Sequence, residues 1–192
     1  MTAETLEMRK LISFTSISLD GYFSNADGDM SWAHSQDPEW SAYIAGNASG
    51  NGMLVFGRLT YDMMASFWPT PAALQTMPEV ARGMNSMPKT VFSRSLNAAT
   101  WANTTLHHGN PATEIRRLKR ETGPDMAILG SGTIVAQLAQ EQLIDEIQVV
   151  VVPLVLGTGR SLFAGSRRLP LTLTSSRAFG NGNVVLSYAP NG

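Results

Sequence analysis

Four residues, Gly130-Ser131-Gly132-Thr133, stand where a short apolar run ends and an amphipathic one begins. Ala127, Ile128 and Leu129 read as a buried strand, and Ile134, Leu138 and Leu143 fall on one face of a following helix. Glycines at 130 and 132 let a backbone approach a ligand closely, and Thr133 stands where a helix N-cap belongs. First-turn N–H groups lack acceptors in their own helix, and the helix dipole adds positive potential, so such a turn attracts phosphate. Close strand–helix packing selects the same small residues, so the turn alone leaves phosphate binding and plain packing both open. The dinucleotide fingerprint G-x-G-x-x-G is incomplete, because Val135 occupies the place of its third glycine. No acid follows a second strand about 20 positions on, since Val150 to Val152 are apolar, and an ordinary Rossmann site does not fit.

Two acids are candidates for proton chemistry. Asp20 follows the first strand and precedes Gly21, a pair that also makes a simple turn. Asp37 precedes Pro38, where it reads as the N-cap of a helix with proline in its first turn. His34, His107 and His108 lack paired ligand spacing, and neighbours on a strand point to opposite faces, so no metal is expected. With no cysteine, disulfides, thiolate catalysis and cysteine-ligated zinc are excluded. The ten methionines suit gap filling around a core or cleft.

These residues need a scaffold, and 192 residues suffice for one domain with a sizeable core. A flexible segment, residues 1–9, is expected ahead of a single domain over 10–190. The net charge of −1 comes from interspersed charges, which argues against nucleic acid and membrane surfaces as partners. The basic run Arg116 to Arg120 reads as a solvated helix face. The first residues lack the pattern of a signal peptide, and no apolar run approaches the roughly 20 residues of a membrane span. A soluble, cytoplasmic protein is the expectation.

Strand patterns cover Lys10 to Leu19, Met53 to Phe56, Lys89 to Phe92, Thr104 to His107 and Glu146 to Val152. Helices are expected from Pro38, from near Thr60, over Pro78 to Ser86, over Pro111 to Glu121 and after Thr133. Leu171 to Ala178 and Asn183 to Tyr188 flank Gly180-Asn-Gly182 as an antiparallel pair. The order predicts an α/β fold, a mostly parallel sheet flanked by helices with an antiparallel carboxyl-terminal hairpin.

Several motifs now carry a resemblance. Ser18-Leu-Asp-Gly21, Phe56-Gly-Arg-Leu-Thr-Tyr61, Phe92-Ser-Arg94, Gly130-Ser-Gly-Thr133, Leu143-Ile-Asp-Glu146 and Pro153 to Phe163 occur in this order. Together they resemble the dihydrofolate-reductase-like superfamily, especially its riboflavin-biosynthesis reductase branch. The resemblance implies that fold and NADPH as hydride donor to a small heterocyclic or sugar-linked substrate. The implied activity is similar to that of the phosphoribosylaminouracil reductase of riboflavin biosynthesis. It implies that Gly57, Arg58 and Thr60 lie along the diphosphate and 2′-phosphate side of the cofactor. Ser93 and Arg94 would flank the adenosine phosphate. Gly130, Ser131, Gly132, Thr133 and Ile134 would cradle the diphosphate from the other side. Helix starts at Thr60 and Thr133 would then supply N–H groups to one diphosphate, and two arginine forks would suit a phosphate monoester.

On the substrate side the resemblance makes Asp20 a substrate-facing acid, Trp32 is placed either to cover the nicotinamide or substrate or to anchor its loop, and Arg160, Arg167 and Arg168 are the candidates for a substrate phosphate. Asp37 between Trp32 and Trp40 looks like the acid-bearing segment of true dihydrofolate reductases, which is the alternative enzyme reading. A non-catalytic nucleotide-binding protein is the alternative outside enzymes. The riboflavin pathway often fuses its reductase to a cysteine-bearing zinc deaminase, a signature this chain lacks, and Phe67-Trp-Pro69 departs from a polar ribose-phosphate loop. A stand-alone reductase fits better. The apolar stretch Val149 to Leu156 and the terminal hairpin point to a homodimer.

Overall fold

The computed structural model describes residues 8–35, 37–48 and 51–191. Residues 1–7 of the expected flexible segment lie outside that range. Arg9, by contrast, is buried, its Nε donating to the Pro124 carbonyl at 2.6 Å.

In chain order, β1 (Leu11–Ser18) and a short β2 (Tyr22–Ser24) lead to α1 (Pro38–Ala48). Next come β3 (Met53–Gly57), α2 (Arg58–Phe67), α3 (Pro71–Thr76), α4 (Pro78–Ser86), β4 (Lys89–Phe92) and β5 (Thr104–His107). Then follow α5 (Pro111–Lys119), β6 (Met126–Leu129), α6 (Gly132–Gln140) and β7 (Glu146–Val152). A two-residue β8 (Arg160–Ser161), β9 (Leu171–Ala178) and β10 (Val184–Pro190) complete the order. Local chemistry sets several boundaries. Asp37 Oδ1 accepts the Trp40 N–H at 2.8 Å and caps α1. Thr70 and Asn110 cap α3 and α5 in the same way, each ahead of a first-turn proline.

Eight strands form one sheet in the order β5-β4-β3-β6-β1-β7-β10-β9. The pairs from β5 to β7 are parallel, and β10 is antiparallel to both β7 and β9. The expected fold class is therefore the observed one. One face is covered by α1, α2 and α4, where Tyr61, Val80 and Met84 pack with Leu54, Phe56, Val91 and Trp101. The other is covered by α5 and α6, where Ile115, Leu118, Val135 and Leu138 pack with Leu11, Val55, Ile128 and Ile147. A fully buried leucine or isoleucine such as Leu138 or Ile115 contributes about 2 kcal/mol by area removed from water. The apolar run of β7 is accounted for here, since β1 and β10 flank it and Val149, Val150 and Val152 are buried within the single chain. Among the described residues no helix is long and apolar enough to cross a membrane.

The connectivity produces one crevice. Strand β6 lies between β3 and β1, yet β3 hands the chain to α2 on one face while β6 hands it to α6 on the other. At such a switch the two turns part above the carboxyl ends of the strands, the place where ligands of α/β sheets bind.

Candidate active site

The glycine turns after β3 and β6 meet at this crevice, and two hydroxyls lock them together. Ser131 Oγ accepts the Gly57 N–H at 2.9 Å, and Thr60 Oγ1 accepts the Ser131 N–H at 3.1 Å. Two consecutive left-handed residues, Gly130 at φ 56° and Ser131 at φ 55°, make this possible. For serine that conformation costs about 1 kcal/mol, which the two hydrogen bonds offset. Ser131 is the N-cap residue of α6, and α2 starts at Arg58 after Gly57. Both helices thus begin one or two residues earlier than Thr60 and Thr133 suggest, because the contact between the turns fixes their ends.

The donors are correspondingly rearranged. The N–H groups of Gly57 and Ser131 serve the contact between the turns, and that of Gly130 continues the sheet to the Phe14 carbonyl at 3.1 Å. The Ile134 N–H donates to the Ser131 carbonyl at 2.8 Å, and the Ile134 side chain is buried in the core. Ile134 is thus a packing residue whose Cγ1 would lie 3.1 Å from a Cβ at position 57, which is why Gly57 is glycine. Gly132 likewise makes room for protein: a Cβ there would stand 2.5 Å from the Phe23 ring. First-turn N–H groups of Arg58 and Leu59 on α2 and of Thr133 on α6 lack acceptors in their own helices and belong to exposed residues, whereas Gly132 is buried under the Phe23 ring.

Cations flank these donors. Arg58 is exposed and pairs with Asp62 one helical turn on, at 3.0 Å. Beyond β4, Ser93 is buried and its Oγ accepts the N–H groups of Ser95 and Leu96, which shapes the turn that presents the exposed Arg94. His108, after β5, holds the same turn through Nδ1 and the Ser93 carbonyl at 2.8 Å. Two surface hollows, lined by Met8, Arg9 and Asp125 and by Gln142, Asp145 and Asn191, lie at the opposite end of the sheet. Donors and charge, rather than depth, define the crevice.

The expected acids have structural work. Asp20 accepts from Ser18 Oγ at 2.6 Å and from the N–H groups of Leu156 and Gly157 at 3.1 and 2.7 Å. The Ser18 hydroxyl, seconded by those amides, holds this exposed carboxyl below the usual range, so near neutrality it has no proton to give. Asp20 pins the loop after β7 rather than offering an acid, and Asp37 is engaged as the α1 cap. Trp32 donates from Nε1 to the Asp29 carbonyl at 3.2 Å and packs beside Trp40 and Phe179, anchoring its loop. Arg160 lies on β8, its guanidinium 3.9 Å from where a Gly28 Cβ would stand. The structure thus gathers the residues from Gly57 to Thr60 and from Gly130 to Ile134, sets Ser93 and Arg94 on the adjoining strand end, and gives Asp37 and Trp32 structural partners at the start of α1.

With this geometry in place, the sequence model of the RibD C-terminal domain matches residues 9–185. The chain belongs to that family. Its relatives include the uncharacterized proteins YyaP and YwjB of Bacillus subtilis (strain 168). YyaP is 27% identical over 188 residues, covering 97% of this chain and 98% of that protein. YwjB is 26% identical over 182 residues, covering 94% and 97%. Among solved structures, one from Shewanella sp. PV-4, named for riboflavin biosynthesis, aligns at TM-score 0.74 and 24% identity over 95% of this chain and 99% of its own. The Thermotoga maritima diaminohydroxyphosphoribosylaminopyrimidine deaminase and uracil reductase aligns at TM-score 0.68 and 12% identity, over 97% of this chain and 58% of that one. At these identities the structures establish the fold, a riboflavin-biosynthesis reductase-like one, and the RibD C-terminal family includes reductases.

Within this RibD C-terminal domain, sequence reasoning missed Asp62, Phe23 and the part His108 plays. Asp62 was legible, since it stands four residues after Arg58 on a helix. Phe23 and His108 carry no local signal, because their partners, Gly132 at the start of α6 and Ser93 after β4, lie outside their own elements.

Proposed function

We propose that the chain is an NADPH-dependent reductase acting on a C=N or C=O bond of a small polar heterocyclic or sugar-linked molecule. The observation that carries this reading is the pair of helix starts brought side by side at the crevice. Amides of Arg58, Leu59 and Thr133 suit a diphosphate, and the guanidinium groups of Arg58 and Arg94 suit a phosphate monoester. These residues fit the bound group by the chemistry of their donors. When bound, the nicotinamide would supply the hydride for such a reduction, with solvent as the source of the accompanying proton. The chain contributes orientation and shelter, and neither Asp20 nor Asp37 is needed as an acid. A true dihydrofolate reductase acting through Asp37 is disfavoured, because that carboxylate is committed to the α1 amide.

Titration of tryptophan fluorescence with NADPH and with NADH tests the reading. Micromolar NADPH binding is expected, weakened about 10- to 100-fold in the Arg58→Ala, Arg94→Ala double variant with little change for NADH. Binding of neither dinucleotide would remove the cofactor site. Binding without oxidation of the cofactor by any C=N or C=O acceptor would favour a non-catalytic nucleotide-binding protein.

A further inference from the structure

We infer that Thr60 and Ser131 are positioning residues that set the spacing of the two helix starts, which rests on the dinucleotide reading above. The geometry is reciprocal: Ser131 receives a hydrogen bond from Gly57 on its hydroxyl and gives one from its amide to Thr60. Helices α2 and α6 leave on opposite faces of the sheet, so helix-on-helix packing does not hold their first turns at a fixed distance. Beyond the last β3–β6 pair, Val55 with Ile128, the two hydroxyls do so together with the packing of Ile134 on Gly57.

Residue choice at 131 supports a device beyond a simple turn. A left-handed φ of 55° is ordinary for glycine and unfavourable for serine, yet glycine has no oxygen to receive the Gly57 amide. Gly130, just before, shows that the same turn accommodates glycine. Thr60 is equally specific in type, because only a side-chain oxygen at that point receives the Ser131 amide, while its methyl group lies 3.6 Å from where a Gly130 Cβ would be. The contact withdraws two amides from ligand binding and in exchange holds the first turns of both helices at one separation. A diphosphate that touches both turns feels that separation. A phosphate monoester held by the arginines does not.

The test uses Thr60→Val, Ser131→Ala and Thr60→Ser, titrated with NADPH and separately with adenosine 2′-monophosphate. Thr60→Val keeps the shape and loses the acceptor, whereas Thr60→Ser keeps it. Thr60→Val and Ser131→Ala should each weaken NADPH about tenfold and leave the monophosphate within about twofold, with Thr60→Ser close to the parent protein. Combining the two losses should cost little more than either alone, because both break one unit. Ser131→Gly relieves the backbone, so it should fold and still lose NADPH affinity. NADPH affinity unchanged in Thr60→Val and Ser131→Ala would overturn the inference, as would equal weakening of both ligands. If the parent protein bound neither NADPH nor NADH, the cofactor reading itself would fall and this inference with it, an outcome distinct from the other two.

Discussion

At the amino-terminal ends of the strands, Arg9, Lys89 and Lys119 are buried and spend their hydrogens on the protein itself. Arg9 reaches the Pro124 carbonyl, Lys119 the Leu143 carbonyl and Asp145, and Lys89 three carbonyls, of Asn85, Met87 and Ala102. At the carboxyl-terminal ends, Arg58, Arg94 and Arg160 are exposed. Arg58 has one acid, Asp62, and Arg94 and Arg160 have no ion-pair partner among the described residues. A buried cation bonded to protein acceptors holds structure together, whereas one presented to solvent is available to an anion. The contrast supports the cofactor site proposed at the carboxyl end.

The largest effect is expected at the closed end. Lys89→Met leaves three carbonyls without their ammonium and removes the cation 4.5 Å above the Trp101 ring. A loss of about 3 kcal/mol follows, a drop of roughly 6–12 °C in Tm for a chain of this size, with NADPH affinity unchanged. Burial also pushes Lys89 from its ordinary 10.5 down to about 8. Between those pH values the unfolded chain holds the extra proton, so this site makes stability rise with pH across the window. Thermal melts from pH 8 to 10 should show that rise in the parent and lose it in Lys89→Met. A Tm within a degree of the parent would erase the distinction between the two ends.

At the open end, Gly132→Ala drives a methyl group against three Phe23 ring atoms that would lie 2.5 to 2.8 Å away. Overpacking of this kind costs about 2 kcal/mol, and pairing it with Phe23→Leu should restore part of the loss. Urea midpoints measure both. An unchanged midpoint for Gly132→Ala would mean that the ring moves aside freely.

That contact also explains what the sequence could and could not tell. Strands Met53–Gly57 and Lys89–Phe92, the hairpin of β9 and β10, and the Asp37 cap were legible, because each depends on neighbours in the chain. The helix expected from near Thr60 is there as α2, running to Phe67 with Met64 and Tyr61 turned inward. The helix starts were misplaced because Ser131 is fixed by Thr60, 71 positions away, which no local propensity records. Glycine at 57 and 132 suggested room for a ligand, whereas Ile134 and Phe23 fill that room. Asp20 was chemically legible as an acid, but its partners Leu156 and Gly157 come from beyond β7.

Asp20→Asn has a smaller and more local effect. The amide keeps one acceptor oxygen and loses the other, so hydrogen exchange at Leu156 and Gly157 should quicken several-fold while Tm moves little. In the parent, a folded carboxyl held below its ordinary range contributes protection that is complete above about pH 4 and fades as pH falls through the lower folded value. The variant should lose that acid dependence. Equal exchange in both proteins would show that the loop after β7 stands without Asp20.

The smallest effect sharpens the contrast most, because it changes only how available one cation is. Arg58 and Asp62 are both nearly half exposed, so their pair is worth at most about 1 kcal/mol, and a 2′-phosphate competes with Asp62 for the same guanidinium. Asp62→Asn removes the competitor and keeps the helix position. NADPH should then bind about two- to threefold more tightly, with NADH unchanged. The gain should vanish when Arg58→Ala is added, since the acid acts only through that arginine. A gain that persisted without Arg58 would move the 2′-phosphate to Arg94 alone, and a loss of affinity would mean that Asp62 orients Arg58 toward the ligand instead of holding it back.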